Sequence, residues 1–134
     1  MQAMEGCPEI RILLVDDDAG FRGALASVLA DDGHEVLSYA GPADIPSTGS
    51  LPPVDVLISD YEMPEENGFS FIDRFRQRHA EVPVIIITAH QTAAVLAQAA
   101  KRPFLEVVWK PVEYDELHGL LHRLAGEARN LPPP

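Results

Sequence analysis

The sequence predicts an α/β fold: a three-layer sandwich with a parallel sheet between two layers of helices. Two observations predict it. Five short segments rich in β-branched residues alternate with segments of helical periodicity. Four of those apolar segments run directly into polar residues: Asp16 and Asp17 after Arg11–Val15, Asp60 after residues 54–59, Thr88 after residues 84–87, and Lys110 with Pro111 after Leu105–Trp109. In an open parallel sheet, strand ends on one edge converge on a single crevice. Right-handed crossovers then leave few topologies.

Arg11–Val15 reads as a buried strand, continuously apolar from Ile12. Residues 19–32 read as a helix, because Phe21, Leu25, Val28 and Leu29 recur at helical spacing and Gly33 can end it. Glu35–Tyr39 is a more polar strand, suited to a sheet edge. Residues 41–53 are rich in proline, glycine and serine, with room only for a short helical turn at 42–45. Residues 54–59 form the third strand. Residues 68–79 place Phe69, Phe71, Ile72 and Phe75 on neighbouring turns of a helix. Residues 84–87 are the most apolar strand, and Pro83 stands at its entrance, where proline is tolerated. Residues 92–101 form an alanine-rich helix with a thin stripe of Val95, Leu96 and Ala99. Leu105–Trp109 is the fifth strand. Residues 113–128 carry Leu117, Leu120, Leu121 and Leu124 at i, i+3, i+4 and i+7. The expected organisation is a tail at 1–9, one domain at 10–128, and a tail or linker start at 129–134.

With 134 residues, a single core is expected. No apolar run approaches the roughly 18–20 residues of a membrane span, and residues 1–9 lack the basic and apolar regions of a secretory signal. Cys7 is the sole cysteine, which excludes an intrachain disulfide and agrees with a reducing cytoplasm. A formal charge of −11 argues against direct nucleic-acid binding. Arg74, Arg76 and Arg78 are expected on a solvated helix face.

The crevice would hold three carboxylates, a hydroxyl and an ammonium group, an inventory that suits a divalent cation and a phosphoryl group. One aspartate after a strand is ordinarily a helix cap, a role that fits Asp18. Asp16 and Asp17 exceed that need and point to a hard cation held by oxygen. Asp60 reads either as a turn residue or as a carboxylate nucleophile that accepts phosphate. Mutual repulsion among the carboxylates raises at least one pKa unless a cation is present. Thr88 can donate to a phosphoryl oxygen, and Lys110 supplies a point charge.

The stretches ILLVDDD (12–18), VLISDYEMPEENGF (56–69), VIIITA (84–89) and VVWKP (107–111) resemble those of receiver domains of two-component response regulators. The likeness runs from Ile10 to Ala125. It implies a flavodoxin-like sheet in the order 2-1-3-4-5. It also implies that Asp60 is the phosphoacceptor, and that Asp16, Asp17, Asp60 and the backbone carbonyl of Glu62 bind Mg2+, with Mn2+ as a substitute. Thr88 and Lys110 would contact the phosphoryl group. The donor would be a phosphohistidine on a sensor histidine kinase or a histidine phosphotransfer protein. Such a domain catalyses only its own phosphorylation and dephosphorylation, and signals by protein contact to a downstream protein or an attached effector domain. Residues 92–128 would form the output face and a possible homodimer surface.

Two departures bear on that output face. Val107 stands where the family carries an aromatic switch residue, and Trp109 lies two residues on, on the same strand face. Lys101, Arg102, Pro103 and Phe104 replace the usual Gly-Ala segment. Glu62 and His90 occupy positions that tune phosphate lifetime in the family. Two rival readings are a receiver-like binding module that never takes phosphate and a haloacid-dehalogenase-type phosphatase. For the second, only Glu113, Asp115 and Glu116 are available as the further acidic motif it needs.

Overall fold

The computed structural model describes residues 9–46 and 51–129. Cys7 and most of both expected tails lie outside the described residues. Five strands form one parallel sheet: β1 (Arg11–Val15), β2 (Glu35–Tyr39), β3 (Val56–Asp60), β4 (Val84–Thr88) and β5 (Leu105–Trp109). Their spatial order is β2-β1-β3-β4-β5, as expected. The helices are α1 (Ala19–Asp31), α2 (Gly68–Phe75), α3 (Ala93–Ala100) and α4 (Tyr114–Arg129), and a 3-10 turn spans Pro42–Asp44.

Strand alternation builds two cores. Ile12, Leu14, Val56, Ile58, Ile85 and Ile87 meet Leu25 and Leu29 of α1 and Leu117 and Leu121 of α4. Leu13, Val15, Leu57, Val84 and Ile86 meet Phe69, Ile72 and Phe75 of α2 and Val95 and Ala99 of α3. Each fully buried Leu or Ile contributes roughly 1.5–3 kcal/mol. β1, β3 and β4 are therefore central and apolar on both faces, while β2 and β5 take the half-buried edges.

Several boundaries differ from expectation. β3 starts at Val56 and ends at Asp60, because the ladder to β4 runs from Leu57↔Val84 to Asp60↔Ile87. Asp55 instead ties the strand entrance, accepting the Arg11 N–H at 2.8 Å. β4 includes Thr88, paired with Trp109. α2 ends at Phe75 rather than at residue 79. Its Arg76 is not on a solvated face: the guanidinium turns inward and donates to the carbonyls of Val82 at 3.0 Å and Phe104 at 2.9 Å. α3 begins at Ala93, and Thr92 caps it by accepting the Val95 N–H at 3.2 Å. α4 begins at Tyr114. Val28 and Leu96 have the spacing of core residues but are 41% and 49% exposed.

The segment before β5 has its own geometry. Phe104 adopts φ 54°, a left-handed conformation that favours glycine. Its carbonyl accepts from Val84 N–H and from Arg76, both at 2.9 Å, while the residue is 45% exposed.

Candidate functional site

The carboxyl-terminal ends of β1, β3, β4 and β5 meet at an acidic crevice. β1 stops at Val15 because Asp18 begins α1, accepting the Phe21 N–H at 3.1 Å. Asp16 is thereby pinned between strand and helix. Its N–H donates to the Tyr39 carbonyl at 3.1 Å, and its Oδ1 accepts the Asp18 N–H at 2.8 Å. The Asp16 carbonyl accepts from Arg22 at 2.6 Å. Asp16 is buried, Asp17 exposed, and Asp60 buried at the last position of β3. Ligand oxygens of these three residues all lie within 4.8 Å of one another. Adjacent Asp16 and Asp17 reach one crevice because both lie past the end of β1, in the turn before α1, where strand alternation no longer applies.

Two of these oxygens are orphaned: Asp16 Oδ2 and Asp60 Oδ1 are buried without a hydrogen-bond partner. Lys110 Nζ lies 3.7 Å from Asp60 Oδ1, an ion pair too long for a hydrogen bond. The same ammonium lies 5.1 Å from the centroid of the Phe21 ring, which directs it across the crevice. The Lys110-Pro111 bond is cis. Burial, then the Asp16 charge, pushes the Asp60 carboxyl up to about 6, against the pull of Lys110 and a backbone hydrogen bond from Glu62. Burial also raises Asp16. A hard divalent cation fits this donor set: the oxygens are anionic and clustered, and two buried ones, Asp16 Oδ2 and Asp60 Oδ1, have no hydrogen-bond donor.

Thr88 is buried at the end of β4, and its Oγ1 accepts the His90 N–H at 2.9 Å. Its hydroxyl proton therefore remains free to donate elsewhere. Glu62 and His90 come together at the mouth, where His90 Nε2 contacts Glu62 Oε2 and both side chains are about half exposed. Val107 is partly buried against the core that holds α2 and α3, and Trp109 is partly buried opposite Thr88.

Gly68 is a site residue that the sequence marked only as a helix start. A Cβ there would lie 2.8 Å from the Asp60 carbonyl and 2.9 Å from Ile86 Cδ1. Its N–H donates to the Tyr61 carbonyl at 2.8 Å, while Tyr61 N–H donates to Ile87. The loop after Asp60 is thus closed at its neck. Asn67 before it caps α2 by accepting the Ser70 N–H at 3.0 Å. An Asn-Gly pair ahead of an apolar helix was the available signal. Arg22 and Phe21 gave none, since on sequence both look like ordinary residues of an amphipathic helix.

Comparison with known proteins gives a consistent result. The family model described as response regulator receiver domain matches residues 12–122. The DNA-binding transcriptional regulator NtrC of Escherichia coli (strain K12) is 31% identical over 112 residues, covering 84% of this chain and 24% of the relative. The chain thus spans about a quarter of the length of the curated relatives it matches. Among solved structures, the chemotaxis protein CheY4 of Vibrio cholerae superposes with a TM-score of 0.79 at 24% identity, covering 87% of this chain and 98% of that one. The response regulator protein TrrA of Thermotoga maritima, in complex with Mg2+-BeF, gives 0.73 at 25% identity, covering 86% and 98%.

Proposed function

The chain belongs to the response regulator receiver domain family, and we propose that residues 10–128 are a phosphoacceptor unit in which Asp60 takes a phosphoryl group from a phosphohistidine. The observation that carries this reading is the buried, unpartnered Asp60 Oδ1 beside Asp16, Asp17 and Lys110.

In the proposed step an Asp60 oxygen attacks phosphorus in line with the histidine nitrogen. The P–O bond forms as the P–N bond breaks, and the departing imidazole nitrogen keeps the electron pair and takes a proton. Lys110 and the Thr88 hydroxyl hold the phosphoryl oxygens. Hydrolysis passes the phosphoryl group on to water: water attacks phosphorus, its P–O bond forms as the bond to the Asp60 oxygen breaks, and the carboxylate and inorganic phosphate are released. Asp16, Asp17, Asp60 and the Glu62 carbonyl would hold Mg2+, or Mn2+ in its place. The metal would neutralise charge on the transferring group. Glu62 and His90 flank the mouth and set how readily water enters.

The donor is a sensor histidine kinase or histidine phosphotransfer protein, in keeping with a signalling domain of the cytoplasm. Output passes by protein contact through the 92–128 face, to a downstream protein or an effector domain, with homodimer formation through that face as one form of output. The test is incubation with acetyl phosphate and Mg2+ followed by mass spectrometry. Addition of one phosphate, absent in Asp60→Asn, is expected. No addition to the wild type would favour the non-phosphorylated binding module instead.

A further inference from the structure

A second cluster of ligand-type side chains lies away from the acidic crevice. His34 directly precedes β2, and its partner Ile10 directly precedes β1. They therefore sit at the amino-terminal edge of the sheet, opposite the crevice. His118 and His122 stand one turn apart on α4 and face His34. One ring nitrogen from each of the three histidines lies within 4.8 Å of the other two. His34 is 6% exposed, and Nε2 of His122 is also buried. Asp32, at the end of α1, brings Oδ2 to 3.7 Å from His118 Nε2, and the Tyr114 hydroxyl donates to that same oxygen at 2.6 Å.

We infer that His34, His118 and His122 form a binding site for a transition-metal dication of the zinc class, with the Asp32 carboxylate as an anionic neighbour of His118. Three imidazoles, with water in the remaining position, suit zinc, nickel or copper and not a hard cation of the kind the acidic crevice fits. The i, i+4 spacing on α4 puts two ligands on one helix face, and the third comes from a rigid strand end. The Tyr114 hydroxyl fixes the Asp32 oxygen that faces His118. Burial and the neighbouring imidazoles lower the His34 pKa, which favours the neutral ligand form.

The hydrogen bonds define what binding must change. Ile10 N–H donates to His34 Nδ1 at 3.2 Å, so the His34 proton resides on Nε2 and points at His118 Nε2, 2.9 Å away. That proton occupies the place of the metal. Coordination through His34 Nε2 transfers the proton to Nδ1, with no net release from this ring, and displaces the Ile10 amide from its acceptor. The Ile10 amide is thus a reporter that separates three-imidazole binding from simple chelation by α4.

The test uses Co2+ and Zn2+ on the full chain, with Mg2+ in excess to fill the acidic crevice. One equivalent of Co2+ should give intense tetrahedral d–d absorption. Binding should weaken about a hundredfold in His118→Gln and His122→Gln. Zn2+ should shift the Ile10 amide and the three imidazole resonances in the NMR spectrum of the wild type. That measurement holds even if a histidine variant fails to fold. Unchanged Co2+ absorption in the folded variants, Zn2+ shifts confined to Asp16, Asp17 and Asp60, or no binding below millimolar metal would each overturn the proposal.

Discussion

The Lys110 ammonium stands 3.7 Å from Asp60 Oδ1, near enough to share charge and too far to share a proton. Asp60 therefore keeps a lone pair facing the crevice. Replacing Lys110 with Ala should leave that carboxylate opposed only by Asp16 and Asp17. We expect Asp60 labelling by acetyl phosphate to slow by about 10²-fold, the usual cost of removing a preorganised charge from a transfer site. Phosphoprotein yield against time measures it. An unchanged rate would remove Lys110 from the chemistry.

Stability without metal should fall as pH rises. The folded pKa of Asp60, about 6, lies above the ordinary carboxylate value of 3.8. The folded state thus binds more protons than the unfolded state in that interval. The penalty is absent below about 4, grows through the interval, and is complete above about 6, where it reaches at most about 3 kcal/mol. Asp60→Asn should stabilise the protein in EDTA at pH 7.5 and make little difference near pH 4. Urea denaturation across that range checks this, and saturating Mg2+ should shrink the difference at pH 7.5.

Gly68→Ala should destabilise by about 1–3 kcal/mol, because the new methyl meets the Asp60 carbonyl at 2.8 Å and a packed Ile86. Equilibrium unfolding would measure it. The variant should also slow phosphorylation, since relief of the clash moves the Asp60 backbone.

Phe104→Gly should stabilise the protein by about 0.5–1 kcal/mol. The gain from releasing a left-handed φ outweighs both the greater freedom of glycine in the unfolded chain and the loss of a side chain that is already close to half exposed. A fall in the denaturation midpoint would show that the ring contributes more than its exposure implies.

Separating the Glu62–His90 pair should shorten the life of the aspartyl phosphate. Their side chains meet across the mouth, so Glu62→Asn combined with His90→Ala admits water more freely. We expect roughly threefold faster hydrolysis, read from loss of the phosphoprotein band. An unaltered half-life would deny the pair this role.

Most of the fold was legible because strand and helix carry different periods, and the central strands are apolar on both faces. The crevice residues were legible because each ends or follows an apolar strand segment. Errors arose where tertiary contacts overrule pattern. Arg76 resembles a surface cation, yet two carbonyls left over by the loops at Val82 and Phe104 draw it inward. Val28 and Leu96 keep helical spacing, but the neighbouring layers do not extend far enough to cover them. The histidine cluster could not be read at all, because His34 lies 84 residues from its bonding partner His118.

The hydrogen bond from Gly68 to Tyr61 has a mechanical consequence. Residues 62–67 close into a loop at that bond, held further by the buried Met63 and the Glu66–Arg74 ion pair, and the neck of the loop is continuous with the main chain of Asp60. A protein that gripped this loop would pull on the Asp60 backbone without entering the crevice. Recognition by a visitor and readiness for chemistry are then coupled through a few covalent bonds rather than across the body of the domain.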